Sequence, residues 1–178
     1  MTATRAIIID NPRLFDSAHD ALRFAFLFSG QQYPMTIMGK MMRGCIGSGR
    51  GLSGLDGAAQ SGMILGMLAE LSMTHQSAIT ARYADEGDKR FMQAVNKLSM
   101  EPSIAPAGLS HRLERQALVA RYFGHRVNLG EVAEKIGVHR NTVGQHNRVI
   151  RERLDAIESL AYNQIADIML ARELIYKA

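Results

Sequence analysis

The stretch that decides the fold is NLGEVAEKIGVHRNTV, residues 128–143. Asn128 is a favourable N-cap, and Glu131 follows three residues later, which is the spacing of a capping box. Gly137 ends the short helix, because glycine adopts the left-handed backbone of a tight turn at little cost. A second helix is predicted from His139 onward. Ala133 is small enough to let the two helices cross closely. The predicted seam between them is apolar and consists of Val132, Ile136, Val138 and Val143.

The stretch from Glu131 to Val143 closely resembles the helix-turn-helix of transcription regulators. This resemblance implies a DNA-binding unit in which the start of the second helix enters the major groove. His146 departs from the pattern, since such motifs usually bury an apolar side chain at its position. We therefore expect either shallow packing of the second helix or a contact between His146 and the backbone.

The polar side chains around the turn receive roles from their positions. Arginine pairs well with guanine, and asparagine or glutamine pairs with adenine, so residues at the start of the second helix are expected to read bases. The predicted base-reading residues are His139, Arg140, Asn141 and Gln145. Neighbouring polar residues are expected to contact phosphates. The predicted DNA-backbone contacts are Arg126, Asn128, Thr142, Arg148 and Arg151.

The positive charge of the chain is concentrated around this motif. The formal net charge is +4, and residues 111–153 carry nine Lys/Arg against four Asp/Glu. The rest of the chain has 12 basic and 13 acidic residues. Phosphate binding needs concentrated positive charge, because counterion release scales with the number of phosphates neutralised. A solvated helix face would show the same charge, so charge alone leaves both interpretations open.

The remainder of the chain also has helical patterning. Apolar residues recur at three- and four-residue spacing within 13–29, 58–84 and 109–124, and 89–98 has a similar character. Two prolines and a glycine make 101–108 the best linker. We therefore predict an all-α protein with a helical, protein-interaction body at 1–100. The body is followed by a linker at 101–108 and by a helix-turn-helix domain with a C-terminal helix at 109–178.

A glycine-rich segment interrupts the predicted body. Residues 44–66 contain eight glycines. A nucleotide-binding loop would need a preceding strand and, for a Walker A motif, a terminal Gly-Lys-Ser/Thr, and neither is present. We interpret the segment as a flexible loop, or one ordered only by a partner. Arg43 and Arg50 are its candidate partner contacts.

An apolar stripe runs along the C-terminal segment, residues 148–176, which is predicted to form one long helix or two. Its positions at three- and four-residue steps include Ile150, Leu154, Ile157, Ala161, Ile165 and Ile168. Such a stripe must be buried against something. We expect it to fold back on the N-terminal body, and a homodimer interface is the alternative.

Motifs for other chemistry are missing from the sequence. The single cysteine, Cys45, excludes an intramolecular disulfide and a cysteine-rich zinc site. The six histidines show no HExxH spacing, and no G-x-S-x-G nucleophile occurs. We therefore expect no enzymatic activity, metal or cofactor. Apolar runs are too short for a secretory signal or a membrane span, so a cytoplasmic location is expected.

A C-terminal helix-turn-helix behind a helical body is similar to region 4 of sigma factors. Residues 118–124 and 133–147 also look like the Q-type antitermination proteins of lambdoid phages, although the zinc-binding cysteines of some members are absent. This resemblance implies DNA binding near a late promoter, loading onto RNA polymerase and read-through of terminators. The glycine-rich segment would then contact polymerase. A conventional dimeric repressor or activator and a ring-forming small terminase subunit are the alternatives.

Overall fold

The computed structural model describes residues 14–30, 54–106 and 108–176, and the regular structure in these ranges is helical. The helices are α1 (Ala18–Gly30), α2 (Gly54–Leu68), α3 (Met73–Tyr83), α4 (Lys89–Met100), α5 (Arg112–Tyr122), α6 (Leu129–Ile136) and α7 (Arg140–Ala171). The predicted all-α class is confirmed. None of the helices in the described ranges has the length and apolar character needed to cross a membrane.

Polar side chains determine where several helices begin. The Ser17 hydroxyl oxygen accepts a hydrogen bond from the Asp20 N–H at 3.2 Å, so α1 begins at Ala18 and not at residue 13 as predicted. The pattern predicted over 58–84 is divided into α2 and α3, because Ser72 caps a new helix. Asp88 caps α4 in the same way, with its carboxylate accepting the Arg90 N–H at 2.9 Å.

The prediction of a loop over residues 44–66 is wrong for 54–66, which lie in α2, whereas the helical pattern predicted from residue 58 onward is confirmed there. Glycine serves here in helix packing. Gly57 is buried, and a Cβ atom at this position would lie 2.6 Å from Cε2 of Phe28 in α1. The missing side chain therefore lets α1 and α2 approach closely. Residues 44–53 lie outside the described residues, as do the candidate contacts Arg43 and Arg50.

The helices pack around two hydrophobic clusters. The first cluster joins α1 and α2 to the C-terminal half of α7, and Leu22, Ile64 and Ile165 are fully buried in it. The second cluster joins α3, α4, α5 and α6 to the N-terminal half of α7 around the buried Phe91 and Leu118. The helix-turn-helix segment therefore rests on the second cluster, and α7 extends from it into the first.

Helix α7 is shared by both clusters. Its 32 residues extend about 48 Å at the usual rise of 1.5 Å per residue. Ile150 and Leu154 are buried in the second cluster, whereas Ala161, Ile165 and Met169 are buried in the first. The expectation that the C-terminal stripe folds back on the body is confirmed, and the stripe belongs to one continuous helix. Ile150, Leu154, Ala161 and Ile165 of the stripe are therefore buried within the chain, whereas Ile157 and Ile168 are half-buried.

The predicted linker at 101–108 packs against the second cluster. Ile104 is 1% exposed, and the Arg153 guanidinium donates to the carbonyl of Ala105 at 2.6 Å. Phe91 before the segment and Leu118 after it belong to the same cluster. Hydrophobic packing therefore does not divide at 101–108, and the separate folding of 1–100 and 109–178 stays a prediction.

Two glycines of α2 provide a matched test of the packing between α1 and α2. Gly57→Ala is expected to be less stable than Gly62→Ala by about 1–3 kcal/mol, the usual cost of overpacking. A Cβ at 57 would meet the Phe28 ring, whereas a Cβ at 62 meets nothing within 4 Å. Both substitutions gain similar helix propensity. The difference between their free energies of unfolding in urea therefore measures the contact with Phe28. Equal stability of the two variants would contradict it.

Candidate nucleic-acid interface

Asn128 caps α6 as the sequence predicts. The side-chain oxygen of Asn128 accepts the Gly130 N–H at 2.9 Å, which makes Asn128 the N-cap. The Asn128 amide also donates to the Glu131 carboxylate at 3.2 Å. Glu131 thus supports the cap by accepting from the side chain of Asn128. In a capping box it would accept from the backbone N–H of Asn128. The side chain predicted to contact phosphate is thereby held at the N-terminus of α6.

The turn between α6 and α7 depends on Gly137. Its φ of 71° and ψ of 31° place it in the left-handed region, as predicted. The Val138 N–H then donates to the carbonyl of Ala133 at 3.0 Å and closes the end of α6. His139 caps α7, because its Nδ1 accepts the Asn141 N–H at 3.2 Å. With Nδ1 used as an acceptor, Nε2 carries the ring N–H of neutral His139 and can donate outward.

Most of the predicted seam is confirmed by its burial. Ala133 is 4% exposed and Val143 is fully buried, while Val132 and Ile136 are half-buried beside them. Val138 is the exception, with 39% of its surface exposed. It follows the left-handed residue and closes the turn through its backbone, so its side chain lies at the surface. The prediction that Val138 belongs to the seam is wrong.

His146 makes a contact that neither sequence-based alternative included. Its Nδ1 lies 2.8 Å from Oε1 of Glu114 in α5, and only 3% of the Glu114 side chain is exposed. A buried carboxylate needs a polar partner, and His146 supplies it from α7. Glu114, 32 residues earlier in the chain, therefore explains why His146 stands where such motifs usually have an apolar residue. This pair ties the start of α7 to the helix before the motif.

The predicted base-reading residues share one exposed surface at the start of α7. His139, Arg140, Asn141 and Gln145 are all exposed. Helical spacing places Asn141 and Gln145 opposite the face that buries Val143, whereas Arg140 and the capping residue His139 are three and four residues before Val143. Thr142 is half-buried next to the turn, and its backbone N–H donates to the carbonyl of His139 at 3.0 Å. The first two turns of α7 thus present donors and acceptors of the kinds that pair with base edges.

Several arginines of this region have no carboxylate partner. Within the described residues, no ion pair or side-chain hydrogen bond involves Arg126, Arg140 or Arg151, and all three are exposed. Arg148 donates to Glu152 at 3.0 Å, but both side chains are more than half exposed, so this pair contributes little stability. The interface therefore carries cations whose charge is not neutralised within the described chain.

A cleft between the α5–α6 connection and α7 brings two of these arginines together. The basic cleft, as we name it, has a volume of about 660 Å³, and its lining includes Arg121, Arg126, Asn128, Glu131, Asn147 and Arg151. The Arg121 guanidinium donates to the carbonyl of Val127, which orders the connection. Sequence reasoning assigned no role to Arg121 or Asn147. The four-residue spacing of Asn147 and Arg151 on one helix face was the available signal.

A second polar cluster holds the middle of α7 in place. Arg82 of α3 forms a bidentate ion pair with Glu158, with N–O distances of 2.5 and 2.6 Å. Its guanidinium lies over the Tyr122 ring, 5.2 Å from the ring centroid. The Tyr122 hydroxyl lies 2.6 Å from Asp155 and 2.7 Å from Glu158, so two carboxylates share one hydroxyl proton. Burial raises the pKa of Tyr122, and these carboxylates raise it further. The hydrogen bonds to Glu158 raise the pKa of Arg82.

Comparisons with known proteins add no assignment, since no family model, curated protein or solved structure matches the chain. Within the described residues, no group of three or more His, Cys, Asp or Glu side chains is placed to hold a metal ion.

The pair between His146 and Glu114 gives a testable stability difference. His146→Ala is expected to lower the free energy of unfolding by about 2–3 kcal/mol, because it leaves the Glu114 carboxylate buried without this partner. In a Glu114→Gln background the same substitution should cost about half as much or less, since a neutral amide is easier to bury. Denaturant unfolding of the four proteins measures the coupling. Additive losses would show that the two side chains do not stabilise each other.

Proposed function

We propose that this chain is a sequence-specific DNA-binding transcription regulator that contacts the duplex through α6 and the start of α7. The observation that carries the proposal is the exposed polar start of α7, which follows a left-handed glycine turn and lies beside arginines without carboxylate partners. A helix-turn-helix places such residues in the major groove, and cations nearby neutralise phosphates. A helical hairpin used for packing alone would not require this arrangement of exposed side chains.

The proposed roles follow the shape of the interface. Arg140, Asn141 and Gln145 read base edges, and His139 donates from Nε2. Arg126 and Arg151 contact phosphates from opposite walls of the basic cleft. The remaining assigned residues contact the DNA backbone beside this surface. They are Asn128, Thr142 and Arg148.

The first experiment is selection of duplexes from a random pool by the full chain, followed by affinity measurement over a salt series. Arg140→Ala is expected to lose about 1–3 kcal/mol with the selected duplex and much less with random DNA. Arg151→Ala should weaken both and reduce the salt slope by about one unit. Arg23→Ala is the matched control, because Arg23 is an exposed arginine of α1, outside the motif.

Three outcomes would contradict the proposal. Equal loss of specific and non-specific affinity in Arg140→Ala would contradict base reading by this residue. A loss in Arg23→Ala as large as that in Arg151→Ala would show that net charge alone accounts for binding. Failure of the wild-type chain to bind any duplex at low salt would overturn DNA binding as a whole.

We further propose that the regulator acts with RNA polymerase, as a Q-like antitermination factor. This finer proposal rests on the resemblance of residues 118–124 and 133–147 to that class of protein. Footprinting of the selected site beside a promoter, with and without polymerase holoenzyme, tests it. Protection that requires or is extended by polymerase is expected. Protection of a palindromic operator by the protein alone would favour a conventional regulator, and a ring-sized mass in solution would favour a small terminase subunit.

A further inference from the structure

Gly144 is a glycine in the interior of α7 that the packing of the described chain does not require. It lies in helical backbone, where glycine is less favourable than alanine. A Cβ atom built at this position meets nothing within 4 Å among the described residues. Gly57 gives the contrast, since there an added Cβ would meet the Phe28 ring at 2.6 Å. Gly62 and Gly66 of α2 also lie beside open space, so the feature that distinguishes Gly144 is the set of side chains around it.

The residues that lie one turn before and one turn after Gly144 on the helix surface are all polar. Residues three and four positions away are neighbours on an α-helix. For Gly144 these neighbours are Arg140, Asn141, Asn147 and Arg148. The bare backbone of Gly144 is therefore surrounded by side chains suited to bases and phosphates, and Asn147 also lines the basic cleft. A glycine permits close approach of another molecule to the helix backbone.

We propose that Gly144 is the point where the backbone of α7 comes into contact with a DNA strand, and that the same strand places a phosphate in the basic cleft beside Asn147. This inference rests on the proposed DNA-binding function. The molecule expected at this position is the phosphodiester backbone of a duplex. Arg140 and Arg151, which have no carboxylate partner, lie on either side of Gly144 along α7 and can pair with its phosphates. The glycine provides the space, and the arginines and Asn147 provide the partners.

The test uses opposite effects on stability and on binding. Gly144→Ala in the full chain is expected to raise Tm by about 2–4 °C, because alanine favours the helix and meets no neighbour. It should nevertheless weaken binding by about tenfold, since a Cβ would displace the strand. Gly144→Leu should weaken binding further while the helix remains folded. The probes are the selected duplex and a random-sequence duplex of about three helical turns at low salt.

Gly62→Ala is the matched control. Gly62 is also a helix-interior glycine with no atom within 4 Å of an added Cβ, but it lies in α2, away from the motif. A similar rise in Tm with unchanged DNA affinity is expected. Asn147→Asp tests the cleft separately, since it keeps the side-chain shape and adds a negative charge. Its affinity should fall by about tenfold, with little change in Tm.

The possible results separate this inference from the proposed function. Wild-type binding with an unchanged affinity in Gly144→Ala and Gly144→Leu would overturn the close contact at Gly144 and leave DNA binding intact. Unchanged affinity in Asn147→Asp would overturn the phosphate position in the cleft. If the wild-type chain binds neither duplex, the proposed function and the inference that rests on it both fail.

Discussion

The burial of one helix in two hydrophobic clusters is the constraint on which the described structure depends. Helix α7 presents the polar interface in its first turns, then buries Ile150 and Leu154 in one cluster and Ile165 and Met169 in the other. Because each turn of a continuous helix is hydrogen-bonded to the next, packing at one end of the helix also fixes the orientation of the other end. The orientation of the interface is therefore fixed by packing in the body as well as by the turn at Gly137. The pair of Arg82 and Glu158 holds the helix between the two clusters.

Glycine serves several physical purposes in this chain, which explains why the glycine-rich segment misled the sequence analysis. Gly57 permits close packing of two helices, Gly137 supplies a left-handed turn, and Gly62 and Gly144 lie in helices beside open space. Composition alone does not distinguish these roles. The first depends on Phe28, which is distant in sequence and lies in another helix. The second is recognisable because a capped amphipathic helix precedes it and a second helix follows.

The local parts of the fold could be predicted from the sequence, and the long-range parts could not. The cap at Asn128, the turn at Gly137 and the burial of Val143 follow from neighbouring residues, and the structure has each of them. The contact of His146 with Glu114 could not be predicted, because it joins residues whose relation depends on how α5 packs against α7. The same limit applies to the segment 101–108, whose prolines indicate a linker although Ile104 is buried in the second cluster.

The distribution of charge partners carries more information about the interface than net charge does. Arg82 is paired with Glu158 and Arg90 is paired with Asp88. The positive charges of these two arginines are therefore balanced by carboxylates within the fold. Arg126, Arg140 and Arg151 have no such carboxylate within the described residues, although Glu131 lines the same cleft as two of them. The Asn128 amide donates to one oxygen of that glutamate at 3.2 Å. The residue that caps α6 therefore also lies in the cleft with the two arginines proposed to bind phosphate, which links the local rule that begins the helix to the function proposed for it.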